Sequence, residues 1–148
     1  MKDTPIIPCF LDRFNVRRYT MTPENYKRTV LRDISFLLNA FSHLTHDDME
    51  GIDCERVKSS VLAYGLTSFA GQERGQMKQS IVDEIKNALY MFEPRLEKES
   101  INVTEVKKGA SSEIFIKISG KLFKALLAEQ VDLTLSFDVD TGHSAIKK

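Results

Sequence analysis

Residues 131–138 read "VDLTLSFD". Val131, Leu133, Leu135 and Phe137 alternate with Asp132, Thr134, Ser136 and Asp138. Only an extended chain puts every second side chain on one face, so the stretch predicts a half-buried strand. A strand of this kind needs neighbours. Upstream, Ile114, Ile116 and Ile118 repeat the same period, and Ile101 with Val103 begins another alternation. "KKGAS" at 107–111 supplies a turn between these two runs, and "DTG" at 140–142 supplies another before "HSAIK", a candidate edge strand.

Ahead of residue 100 the period is helical. In "MTPENYKRTVLRDISFLLNAF" (21–41), Thr22 suits an N-cap, Pro23 the first helical position and Glu24 the first turn. Tyr26, Val30, Ile34, Leu37, Leu38 and Phe41 then form an apolar stripe. "SHLTHDDMEGIDCE" (42–55) is polar and acidic and reads as a loop. "CERVKSSVLAYGL" (54–66) reads as a short helix with Val57, Val61 and Tyr64 on one face, ended by Gly65 at a left-handed position. A third helix is expected over roughly 74–92, on a stripe of Met77, Ile81, Ile85, Ala88, Leu89 and Phe92. Helices first and strands second predict an α+β fold, its N-terminal helices packed on a small C-terminal, mainly antiparallel or mixed sheet. The 148 residues suit one domain spanning 1–148. Residues 1–20, with Pro5 and Pro8 between apolar positions, read as an irregular docking arm.

Composition removes several classes of function. The 21 basic and 21 acidic residues cancel, so no global field favours nucleic acid or an anionic membrane. Residues 1–32 hold seven Lys/Arg against three Asp/Glu, too mild a tilt to change that. No segment approaches the ~20 apolar residues that span a bilayer. "MKDTPIIPCFLDRF" lacks the continuous apolar run of a signal peptide. Two cysteines, Cys9 and Cys54, form no disulfide framework and suit a cytoplasmic home.

Candidate sites are few. "MFEPRL" (91–96) closes the third helix with a glutamate, a proline and an arginine in succession. Pro94 cannot extend the helical ladder and restricts Glu93, which explains the stop. As a general acid Glu93 would need its protonated form, whereas an approaching Arg95 favours the charged one. Glycoside cleavage would also require a second carboxylate at a set distance. A rigid two-signed docking knuckle fits better: Glu93, Pro94 and Arg95 are held at fixed angles for a partner. His43, His46, Asp47, Asp48 and Cys54 are metal-binding types, but a loop imposes no geometry on them and a solvated acidic loop is expected. "DVDTG" (138–142) has Gly142 where a phosphotransfer motif needs threonine, and reads as a turn. "GQERGQ" (71–76) lacks the lysine of a phosphate-binding loop, and "RFNVRRY" (13–19) has too few arginines for a nucleic-acid surface. No catalytic residue, cofactor or metal is expected.

Four stretches together carry a resemblance. "CFLDRF" (9–14), "VLRDISFLLNA" (30–40), "VKSSVLAYGLTSFAG" (57–71) and "FEPRL" (92–96) resemble the TssE family of type VI secretion baseplate proteins, which is related to the lysozyme-like wedge proteins of contractile phages. The chain departs from the family at Ala63, where Asn is frequent, and at Thr67-Ser68, near a frequent Pro-Asp. The resemblance implies a structural, non-enzymatic subunit of a baseplate docked at the inner membrane from the cytoplasm. It implies that Glu93, Pro94 and Arg95 meet the core bundle of the other wedge subunits, TssF and TssG, with TssK a further possible neighbour. It also implies that strands over roughly 131–147 interlock with sheath subunits and help start the sheath. The alternatives are the equivalent wedge protein of a contractile phage tail or phage-like particle and, more remotely, a lysozyme-type glycoside hydrolase.

Overall fold

The computed structural model describes residues 22–51, 55–67, 74–106, 113–123, 130–138 and 144–147. The docking arm, the "KKGAS" and "DTG" turns and Cys54 lie outside the described residues.

Helix α1 (Pro23–Asn39) starts as its sequence dictates. Thr22 is extended, and its hydroxyl accepts from the Asn25 N–H at 3.2 Å. Val30, Ile34, Leu37 and Leu38 face inward. The stripe was expected to run on to Phe41, but the helix stops at Asn39 because Ala40 is extended, and Phe41 is 53% exposed. Phe41 instead forms a lone parallel bridge with Leu66, and the Leu66 N–H donates to the Ala40 carbonyl at 2.9 Å.

Gly65 makes that approach possible. Its φ is +112°, and a Cβ there would lie 2.4 Å from the Ala40 carbonyl oxygen, which is backbone and cannot yield like a side chain. Gly65→Ala should therefore cost more than about 1 kcal/mol, read as a lower urea midpoint at an unchanged slope. An unchanged midpoint would mean that Ala40 and Leu66 can separate cheaply.

The region 42–64 departs from its sequence reading. "HDDMEG" is not loop but a short helix, α2 (His46–Gly51). Thr45 and Asp48 cap it reciprocally: Asp48 N–H donates to the Thr45 hydroxyl at 3.2 Å, and Asp48 Oδ2 accepts from Thr45 N–H at 3.0 Å. The hydrogen bonds from Thr45 hold the Asp48 carboxyl below the usual aspartate range. The next expected helix is two pieces, α3 (Glu55–Lys58) and a 3₁₀ turn (Val61–Ala63) capped by Ser60. This break rotates the chain, so Ala63 is buried and Val61, expected inside, is 80% exposed.

Helix α4 (Arg74–Phe92) matches the predicted span and buries Ile81, Ile85, Ala88 and Leu89. A 3₁₀ turn (Lys98–Ser100) leads to the sheet. Strands β1 (Asn102–Val106), β2 (Glu113–Lys121), β3 (Gln130–Asp138) and β4 (Ser144–Lys147) form an antiparallel meander in that order. The register places Ile114 opposite Phe137, Ile116 opposite Leu135 and Ile118 opposite Leu133, all facing the helices. α4 lies over β1, and α1 lies over β3 and β4. Asn39 Oδ1 accepts from the Ser144 N–H at 3.0 Å, tying the last strand to the end of α1. The molecule is α+β as predicted, and the sheet is wholly antiparallel among the described residues.

Candidate partner interface

The Glu-Pro-Arg triplet sits where α4 hands the chain to the sheet. Glu93 N–H makes the last helical bond, to Leu89 at 3.0 Å, and Pro94 has no N–H to continue it. The Leu96 N–H then donates to the Glu93 carbonyl at 3.3 Å, closing a tight turn. Beyond it the backbone is clamped. The Phe123 N–H donates to the Arg95 carbonyl at 2.7 Å, Glu97 N–H donates to the Lys121 carbonyl at 2.9 Å, and Leu96 bridges Leu122.

This turn folds Arg95 back onto Glu93. Nε meets Oε1 at 2.6 Å and Nη2 meets Oε2 at 2.5 Å, a two-point fork on the carboxylate. The Arg95 backbone N–H adds a third bond to Oε1 at 3.2 Å. Nη2 also donates to Oδ2 of Asp33, on α1, at 2.9 Å. Oδ1 of Asp33 is held by Arg32 at 2.8–2.9 Å. Among the described residues the result is an alternating run of charges, Arg32, Asp33, Arg95 and Glu93, that joins α1 to the end of α4.

Glu93 is only 4% exposed and the Arg95 side chain 21%. Burial opposes the charge on Arg95, but hydrogen bonds and attraction from Glu93 and Asp33 outweigh it and hold the guanidinium above the usual arginine range. Tyr26 and Tyr64 flank the cluster. Burial pushes both phenols up, and both feel Arg95 and Glu93. The Tyr64 ring sits edge-on to Phe92 with centroids 5.3 Å apart.

The sequence reading expected Glu93 and Arg95 to be presented together on a knuckle. The structure brings them into direct contact and leaves Pro94 exposed, but Glu93 faces inward. A carboxylate so enclosed offers no face to a glycosidic oxygen. Sequence reasoning missed Asp33, Arg32 and the two tyrosines. A signal was available: Tyr26, Val30, Asp33 and Leu37 follow at helical spacing, so a carboxylate borders the apolar stripe and needs a partner. Of the metal-binding types near residue 46, Asp48 serves as a helix cap, and the described residues bring no three His, Cys, Asp or Glu together in a group fit for a metal. No described helix is long and apolar enough to cross a membrane.

The family model for baseplate wedge protein gp25 matches residues 24–125. The chain belongs to this wedge family. The match begins in α1, covers the charge cluster and the triplet, and ends just after β2. It is the domain of the TssE family, so the resemblance to that family stands, with three of its four stretches inside the match. "CFLDRF" and strands β3 and β4 lie beyond the matched span of this wedge chain. Comparison with curated proteins gave no match, and comparison with solved structures gave none. Membership makes the chain a structural component of a contractile baseplate, with other baseplate proteins as its neighbours.

Proposed function

We propose that the chain is the wedge subunit of a type VI secretion baseplate, assembled in the cytoplasm at the inner membrane. In this reading Glu93, Pro94 and Arg95 form the contact with the core bundle of TssF and TssG, near TssK, and the C-terminal strands help begin the sheath. The family match carries the reading, because it spans the triplet and the cluster that fixes it. The geometry supports a docking role: a proline-restricted turn, clamped on both sides, presents Pro94 and one edge of Arg95 in a single orientation. β4 supports the second half, since it ends the meander and leaves one backbone edge without a neighbouring strand among those described.

The test is co-purification of the tagged chain from its own cells, with mass spectrometry of the retained proteins. Arg95→Lys is the informative variant, because it keeps a cation beside Glu93 and removes the planar fork. The expected result is that wild type retains wedge and sheath subunits and the variant loses the wedge subunits at least tenfold while staying folded. Phage tail proteins in place of secretion subunits would select the phage particle, and retention of neither would overturn the docking reading. Removal of 144–148 should release sheath subunits and spare the wedge contacts.

A further inference from the structure

The meander has two outer strands, β1 and β4, and the two edges are built differently. One row of side chains crosses all four strands on the side that faces the helices. Glu105 on β1 pairs with Ile116 on β2, Ile116 with Leu135 on β3, and Leu135 with Ile146 on β4. The middle of the row is sealed, with Ile116 at 0% and Leu135 at 1% exposure. At β1, which lies under α4, the row ends on the half-buried carboxylate of Glu105. At β4 it ends on an isoleucine, and Ile146 is 40% exposed.

An outer strand is a template for another strand, and an added strand extends the existing rows of side chains. Beside β1, the residue next to Glu105 would crowd a carboxylate on the helix-covered side and strip its water. Beside β4, the residue next to Ile146 would cover apolar surface that the fold leaves wet. The start of β4 is also held in place, because Asn39 on α1 accepts the Ser144 N–H at 3.0 Å. Resting on the reading that the C-terminal strands meet the sheath, we infer that the sheet grows from β4 alone. The partner is an extended segment with an apolar residue opposite Ile146, and Glu105 closes the β1 edge. Such an arrangement gives assembly one direction, since a second open edge would capture a second copy of the chain.

Ile146→Val and Ile146→Thr test the apolar contact, because the two side chains share a shape and differ by a hydroxyl in place of a methyl. The tagged full-length variants are expressed in the protein's own cells, and the retained sheath fraction is measured beside the melting temperature. The valine variant should retain sheath as wild type does, and the threonine variant about tenfold less at a similar melting temperature. Wild-type retention by the threonine variant, or equal losses from both, overturns the apolar contact and leaves the sheath reading standing. Sheath retention by a chain lacking 144–148, or none by wild type, overturns both. Glu105→Val tests the closed edge by light scattering of the purified chain over a range of concentrations. A concentration-dependent mass above that of wild type supports the guard, and equal masses at every concentration overturn it.

Discussion

Arg95→Ala lowers the stability of the folded chain by about 3 kcal/mol, the lower end of the range for a broken buried pair. The cost arises at Glu93, which keeps its buried position and loses both points of the fork. Asp33 loses its link from α1 to the turn at the same time. The value sits low in the range because Arg95 keeps a solvent edge, through which water can reach part of the void. Along the chain the position is a helix end, yet it lies deep in the fold, since Glu93 is 4% exposed. Urea unfolding would show the loss as a lower midpoint. Pairing Arg95→Ala with Glu93→Gln should recover a large part of it, since the orphaned charge is then gone. A single-variant loss under about 1 kcal/mol would mean that Glu93 behaves as a surface carboxylate.

Leu135→Asp has the larger effect and abolishes cooperative folding at 25 °C. Leu135 is 1% exposed at the centre of β3, opposite Ile116 on β2 and Ile146 on β4. Its removal forfeits about 2–3 kcal/mol of apolar burial, and the new carboxylate is set between the apolar side chains of Ile116 and Ile146. Together these approach the whole stability of an ordinary domain, about 5–15 kcal/mol. Thr134→Asp is the matched control. One residue away, it lies on the face opposite the helices, so it should change stability by less than about 1 kcal/mol. Circular dichroism separates the two: equal spectra and melting for wild type and Leu135→Asp would refute the assigned face.

The contrast between residues 134 and 135 shows why the sheet was legible. Period-two alternation is a local property, and it needs no knowledge of the partner strand to fix which side chains turn inward. α1 and α4 were legible for the same reason, with Thr22 and Pro23 marking a start and Pro94 a stop. The segment 42–64 was less so. α2 depends on reciprocal bonds between Thr45 and Asp48, too short a signal to stand out from an acidic loop. The 3₁₀ turn at Val61–Ala63 exists because Gly65 and Leu66 must return to Ala40, and the Leu66–Ala40 bond joins residues 26 apart in the chain.

By itself the sequence determined the α+β order, both long helices, the inward face of the sheet, the place of the Glu-Pro-Arg turn and the family resemblance. All of these rest on periods, caps and short motifs that act within a few residues. The tertiary structure alone decided what the triplet's charges touch. Asp33 and Arg95 stand 62 residues apart in the chain and 2.9 Å apart in space. No local pattern encodes that distance: it follows from α1 and α4 covering the same sheet, which brings one carboxylate to the open side of a guanidinium already bent back on Glu93.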